Sequence, residues 1–367
     1  MSFDPVDISP SASLSTAPAE PEPRPVYSTV ELESRTKPIR LLPPEGLAFE
    51  LERFRQLADV TEKPFSMLVC SCKAAINVDS ITAFLDELLV KLELAASPIG
   101  ILDPNRLGII VEQLSWKDIE DLIEALREFE QVSQWDLTLY SYPFPQSPDD
   151  SQMFPLSAQI KHESLQSFLA IPMPTMKRLV DIIFSAAGLF FLSPLFLCIA
   201  VLIRCSSSGP VFFRQKRSGL GGTPFVIFKF RSMVNQAELQ QSELMYLNQQ
   251  DGPAFKIIGD PRVTRIGQFL RHTCLDELPQ LYNVLRGDMS LVGPRPLPCH
   301  ESDSCQWWQR RRLDVTPGIT CTWQARGRDL VSFDQWMRMD LDYVQNRSLK
   351  LDFQIILSTF KFLLARR

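Results

Sequence analysis

Asp276 and Glu277 stand side by side in a stretch crowded with cations, from Arg262, Arg265 and Arg271 on one side to Arg286 and Arg295 on the other. Adjacent side chains on a helix diverge, so one carboxylate can attack while the other binds a metal. A carboxylate attacking phosphorus gives an acyl phosphate. Such a reaction also calls for a divalent ion and for cations that screen the phosphate oxygens. Arg271 and Arg295 are the obvious cations. An Asp-Glu pair at a helix start is also a common solvated feature, so the pair alone leaves both readings open.

The elements that must position these groups lie in a chain of 367 residues, enough for two or three domains. The net charge of −5 hides a split. Residues 1–173 carry 13 Lys+Arg and 27 Asp+Glu, whereas residues 174–367 carry 25 and 16. The basic half, in which Arg outnumbers Lys 19 to 6, suits phosphate groups or an anionic lipid surface. A basic surface without a ligand has the same composition. Eight cysteines lack zinc spacing, and a reducing compartment fits them better than a disulfide framework. The first thirty residues are rich in Pro, Ser and Glu and have no apolar core, so no signal peptide is expected.

Composition divides the chain into a disordered tail over 1–45, a small α+β domain over 46–143, a Pro-rich linker over 144–173 and a basic domain over 174–367. In the second segment a helix from Leu47 to Ala58 leads to an apolar strand, Phe65–Cys70. A helix capped by Asp79 follows, then a hairpin turning at Asp103-Pro104-Asn105, a helix from Trp116 to Phe129 capped by Ser115, and a strand at Leu137–Tyr140. The order βαββαβ is ferredoxin-like. It resembles the palm domain of the diguanylate-cyclase and nucleotide-cyclase group. Of the expected metal carboxylates only Asp103 stands near the hairpin tip, so a regulatory or dimerising module is expected, not a cyclase. Dimerisation through it would make the protein a homodimer.

In the basic domain, Leu179 to Ile203 is a 25-residue apolar run, long enough to span a bilayer core of about 30 Å. Ser193-Pro194 interrupts it, and Lys177-Arg178 and Arg204 flank it. Pro removes a helix hydrogen bond, and positive charge on both flanks fits a helix that turns back to the side it came from. A kinked spanning helix has the same sequence. Val211–Arg217 and Pro224–Phe230 read as a hairpin turning at Gly219–Gly222. Arg262–Arg271 and Leu351–Leu364 read as amphipathic helices, suited to the membrane interface or to packing.

Several motifs in this half, taken together, resemble the bacterial sugar transferases, the monotopic polyprenyl-phosphate hexose-1-phosphate transferases. They run from Met176-Lys-Arg-Leu-Val-Asp181 and Leu192-Ser-Pro-Leu195 through Gly209–Arg217 and Phe228-Lys-Phe-Arg-Ser-Met233. The core is Leu275-Asp-Glu-Leu-Pro-Gln-Leu281 and Leu291-Val-Gly-Pro-Arg-Pro296. Thr316–Thr320, Gly327-Arg328 and Asp340–Val344 close the set. The resemblance implies transfer of a sugar-1-phosphate from a UDP-sugar to polyprenyl phosphate, with UMP released. It makes Asp276 the nucleophile and Glu277 the Mg²⁺ ligand. Arg295 would hold a phosphate of the lipid carrier, Lys229 and Arg271 would lie near the reacting phosphates, and Asp340 would be an acidic residue of the closing segment. Ser193 and Pro194 would make the membrane helix re-entrant. The fold expected is therefore α+β: a ferredoxin-like domain, then a mostly helical membrane-associated domain with a re-entrant helix at about 179–203 and a small hairpin. The implied location is the cytoplasmic face of the bacterial inner membrane, among membrane lipids, with no nucleic-acid partner and a role in starting exopolysaccharide or glycan assembly. Cys321-Thr-Trp-Gln-Ala325 departs from the Gly-Leu-Trp-Gln-Val usual in the family, on the expected nucleotide-sugar side. The competing reading is a catalytically degenerate regulatory protein whose N-terminal domain binds a partner; the intact Asp-Glu pair and its basic neighbours count against it.

Overall fold

A computed structural model describes residues 30–32, 39–72, 82, 84–86, 88, 97–112, 135–142, 161–325 and 331–365. The chain is a mixed α/β protein. Its N-terminal half is built on seven strands: β1 (Val30–Leu32), β2 (Ile39–Leu42), β3 (Phe65–Ser71), β4 (Ile99–Asp103), β5 (Arg106–Glu112), β6 (Asp136–Tyr142) and β7 (Lys161–Ser164). They lie in the order β1-β2-β4-β5-β3-β6-β7. β3 is central and antiparallel to both β5 and β6, while β2 and β7 join parallel at the flanks.

β3 is apolar along nearly its whole length because both faces of the sheet are covered. Leu68 and Cys70 pack with Leu107, Ile109, Leu137 and Leu139 against Phe84, Leu85 and Leu88. Phe65, Met67 and Val69 face the other way, onto Leu47, Leu51, Phe54 and Ala58 of helix α1 (Pro44–Thr61). The expected strands and the first helix are all present. Residues 82, 84–86 and 88 are helical, in the helix expected after Asp79, and the Trp116–Phe129 helix lies outside the described residues. The segment read as a tail supplies β1 and β2, and the segment read as a linker supplies β7 and a short helix, α2 (Leu165–Leu169). Strands of three or four residues are too short to leave a compositional signal.

The C-terminal half opens with α3 (Thr175–Phe191) and α4 (Ser193–Ser206), bent 60° relative to each other. The break falls at Leu192; Ser193 Oγ donates to the Phe190 carbonyl at 2.8 Å, and Pro194 sits in the first turn of α4, where its missing N–H costs nothing. Among the described residues no single helix is long and apolar enough to cross a membrane; this bent pair reaches the required length and apolarity only when taken together. Its outer face is bare: Phe190 and Phe191 are 74% and 76% exposed, and Leu179, Ile183, Phe184, Leu197 and Val201 are exposed with them.

The foot of α3 is anchored by polar contacts. Arg178 donates to the Val284 and Leu285 carbonyls at 2.6 and 2.7 Å, and buried Asp181 accepts from the Leu291 amide. β8 (Phe212–Ser218) and β9 (Pro224–Phe230) form the expected antiparallel hairpin. There follow α5 (Arg265–His272), shorter at its start than the sequence suggests because Thr264 caps it, and α6 (Gln280–Arg286). β10 (Ser290–Val292) pairs parallel with β11 (Gly318–Thr320). α7 (Cys299–Asp303), an eight-residue 3₁₀ helix (Trp307–Asp314), α8 (Thr322–Ala325), α9 (Phe333–Asn346) and α10 (Leu349–Ala365) complete the chain.

Candidate active site

Asp276 and Glu277 lie in a single 3₁₀ turn, Leu275–Glu277, just before α6. The turn is set up by Cys274, which adopts φ 57°, a left-handed conformation that a residue with a Cβ rarely takes. Both carboxylates are largely withdrawn from water, at 8% and 7% exposure. Burying charge is costly unless cations answer it.

They do. Glu277 Oε1 accepts from Lys229 Nζ at 3.0 Å and from Arg295 Nη2 at 2.6 Å. Lys229 comes from the end of β9, Arg295 from the loop after β10, and Arg271 from the last turn of α5, where its Nε donates to Ser232 Oγ at 2.8 Å. Burial, and then the Glu277 charge, push the Asp276 carboxyl up to about 6, against the pull of Lys229, Arg271 and Arg295. Burial pushes the Lys229 ammonium down to about 8, with Glu277 opposing and Arg295 assisting. At Arg295 burial also disfavours the charge, but Glu277 outweighs it and holds the guanidinium above its ordinary value. Strong, opposed perturbations packed into one place are the mark of a functional site.

The loop that carries Arg295 is Pro294-Arg295-Pro296. Its prolines have no N–H to give, so the loop can be fastened mainly through carbonyls. All three are taken. Pro294 O accepts from the Gly318 amide at 3.0 Å, Arg295 O from Arg312 Nη2, and Pro296 O from Arg217 Nη1 at 3.0 Å. Gly318 is required there, because a Cβ would lie 2.0 Å from the Gly293 nitrogen. Arg217 belongs electrostatically to the site as well: burial, and then Arg295, push its guanidinium down to about 10.

The structure thus brings together Asp276, Glu277, Lys229, Arg271 and Arg295. Asp340 is placed differently. It is 1% exposed on α9, and its Oδ2 accepts from Arg312 Nε and Nη2 at 2.9 and 2.7 Å. Its carboxylate holds Arg312, which holds the Arg295 backbone, so its link to the site is indirect. Ser193 and Pro194 shape the bend between α3 and α4. Arg217 and Arg312 carry this framework, yet sequence reasoning assigned neither a role. Arg312 ends the run Arg310-Arg311-Arg312, which looks like a solvated basic patch, and only the fold turns it inward. The unusual Cys321 is also buried, its Sγ 3.1 Å from Gln324 Oε1, with burial pushing the thiol up to about 12. Gly327 and Arg328 lie outside the described residues.

Among the described residues no three His, Cys, Asp or Glu side chains converge as a metal cage. Mg²⁺ does not need one, since it is commonly held by one or two carboxylates completed by substrate phosphates and water. A single hard-oxygen carboxylate such as that of Glu277, its Oε1 held by Lys229 and Arg295, fits that mode.

The sequence profile of the bacterial sugar transferases matches residues 173–366. The chain belongs to the bacterial sugar transferase family. The galactosyl transferase CpsE of Streptococcus agalactiae serotype III (strain NEM316) is 43% identical over 189 residues, covering 51% of this chain and 42% of that protein. The exopolysaccharide production protein ExoY of Rhizobium meliloti (strain 1021) is 38% identical over 187 residues, with 50% and 83% covered. The UDP-glucose:undecaprenyl-phosphate glucose-1-phosphate transferase of Caulobacter vibrioides (strain ATCC 19089 / CIP 103742 / CB 15) is 40% identical over 201 residues, with 51% and 69% covered. The chain thus spans less than half the length of the streptococcal relative. A solved DGC protein from Thermotoga maritima matches 28% of this chain and 83% of its own at 14% identity and TM-score 0.22, too slight a likeness to carry an argument.

Proposed function

We propose that this bacterial sugar transferase moves a sugar-1-phosphate from a UDP-sugar to polyprenyl phosphate through a covalent intermediate on Asp276. The observation that carries the reading is the buried Asp276–Glu277 pair, with Lys229, Arg271 and Arg295 converging on it from three separate elements. The names of the Caulobacter and other relatives, which include undecaprenyl-phosphate glucose and galactose phosphotransferases, support the substrate pair.

In the first half-reaction an Asp276 carboxylate oxygen attacks the phosphorus that bears the sugar. The bond from that phosphorus to the bridging oxygen breaks, and the oxygen leaves with its electron pair as part of UMP. In the second, a phosphate oxygen of the lipid attacks the same phosphorus and Asp276 departs as a carboxylate, leaving a lipid-diphosphate-linked sugar. No electron is gained or lost overall. Lys229, Arg271 and Arg295 screen the phosphate oxygens that would otherwise repel an anionic nucleophile. Glu277 would hold Mg²⁺ together with substrate oxygens; the ion would supply charge neutralisation on the phosphates. Desolvation of Asp276 strengthens these attractions by lowering the local dielectric.

The bent α3–α4 pair, with its bare apolar face, is read as a re-entrant membrane hairpin at the cytoplasmic face of the inner membrane. The exposed Phe353, Phe360 and Leu364 of α10 would lie at the same interface. For the N-terminal half the ferredoxin-like reading is supported by the strand order β4-β5-β3-β6 and its antiparallel pairings, since that module places its strands in the order 2-3-1-4.

The test is a panel of UDP-sugars scored for UMP release with Asp276→Asn beside the unaltered protein in membranes. The unaltered protein releases UMP from at least one sugar and Asp276→Asn from none; undiminished release by the variant overturns the nucleophile assignment.

A further inference from the structure

The 3₁₀ helix Trp307–Asp314 has three residues per turn, so side chains three apart are eclipsed and the helix is a three-sided rod. Eight residues is long for such a helix, because its hydrogen bonds are poor and outside contacts must hold it.

One side, Arg311 and Asp314, faces α1. Arg55 forms a two-pronged pair with Asp314 at 2.6 and 2.8 Å, and Arg311 reaches Glu52 at 2.7 Å and Asp59 at 2.5 Å. The rest of the N-terminal half closes around this contact. Tyr142 Oη donates to Asp59 at 2.6 Å and lies 3.2 Å from the Trp307 carbonyl, Gln166 donates to the Arg310 carbonyl at 2.8 Å, and the Ile171 amide to the Asp314 carbonyl at 2.7 Å. The second side, Gln309 and Arg312, faces α9. Gln309 donates to Asp334 at 3.0 Å, and Arg312 holds Asp340 and the Arg295 carbonyl. A second grip falls on the β8–β9 hairpin, which carries Arg217 and Lys229. Its turn comes so close to α2 that a Cβ on Gly221 would lie 2.8 Å from the Ser167 Cα. The N-terminal half therefore touches two of the three elements whose residues hold the Pro294–Pro296 loop.

We propose that the N-terminal half controls the active site by docking on the Arg311–Asp314 side of this rod, which fixes Arg312 on the neighbouring side as the positioning residue for Arg295. A shift of α1 turns or loosens the rod, and the Arg295 carbonyl is where that movement arrives. Two sites joined by a bistable element couple by factors of about 5 to 150.

The experiment compares the full chain with Arg55→Gln, with Asp314→Asn, and with the exchange Arg55→Asp/Asp314→Arg, by amide hydrogen exchange and by UMP release. Each single variant is expected to speed exchange in peptides covering 290–299 and to lower kcat about tenfold with KM for the UDP-sugar within about twofold. Exchange in β3 and β5 stays at its original rate, and the reversed pair recovers both readouts. Should a single variant also lose protection in β3 and β5, Glu52→Gln/Asp59→Asn takes its place, since it frees Arg311 at the rim, where water can reach it. Unchanged exchange over 290–299 with unchanged kcat overturns the proposal. So does a loss that the reversed pair leaves unrepaired, because that is local damage and not coupling. The kinetic arm rests on the transferase reading and the exchange arm does not. If Asp276→Asn still releases UMP, that reading fails while exchange continues to decide this one.

Discussion

Beyond the apolar clusters that both contain, the two halves bury different things. In the N-terminal half Met67, Leu68, Cys70, Leu107, Ile109 and Ile110 are sealed inside a sheet covered on both faces. In the C-terminal half the interior holds Asp276, Glu277, Arg312, Asp340 and Asp352, while Phe190, Phe191, Phe353 and Phe360 face outward. Apolar residues inside are unremarkable; buried charge and a wide exposed apolar face both need a reason. The first half is organised for stability. On the proposed function, the second accepts the cost of desolvating charge to keep a dry, preorganised cationic site for phosphate, and its bare apolar surface is the face that lipid would cover.

This contrast can be broken at several points. The largest effect is expected at Asp276→Asn, with UMP release falling about 10⁴-fold or more and the unfolding midpoint little moved, since a nucleophile is not replaceable by its neighbours. Release within about tenfold of the unaltered protein by the folded variant would contradict the assignment. Removing divalent metal with excess chelator should stop turnover and Mg²⁺ should restore it, without change in the far-ultraviolet circular dichroism; full activity in chelator would remove the metal from the account. Arg312→Ala should cost about 3–5 kcal/mol in denaturant unfolding of the C-terminal half, because Asp340 is left charged and alone in the interior. A cost below about 1 kcal/mol would mean that water already reaches this pair. Leu68→Ala should cost about 2–5 kcal/mol in the N-terminal half through the cavity it leaves. The smallest shift in stability belongs to Phe190→Ser, within about 0.5 kcal/mol in detergent, although it should weaken sedimentation with anionic vesicles. Equal sedimentation would argue that lipid does not cover this face.

How far the sequence reveals this architecture follows the same divide. β3 to β6 and α1 were legible because runs such as Phe65–Cys70 and the turn at Asp103-Pro104-Asn105 are signals contained in a few neighbouring residues. The hairpin of β8 and β9 was legible for the same reason. β1, β2 and β7 were not, since three or four residues added to a sheet edge carry no periodicity of their own. Within the site, Asp276, Glu277, Arg271, Arg295 and Lys229 could be nominated from residue type and motif. Their convergence could not, because Lys229 meets Glu277 across 48 positions of chain and Arg55 meets Asp314 across 259. Asp340 is the instructive case. The resemblance placed it in the closing segment, and only the fold shows its carboxylate sealed against the Arg312 guanidinium.

Cys274 gives the site one last property. Glycine would adopt its left-handed backbone without strain, yet here a residue with a Cβ stands immediately before the turn of Asp276 and Glu277. A joint of that kind has few alternative poses, so the aim of Asp276 is held by stiffness at its root as well as by attraction at its tip. On the proposed function, such a joint should trade breadth for accuracy: loosening it would let the Asp276 carboxylate wander toward water.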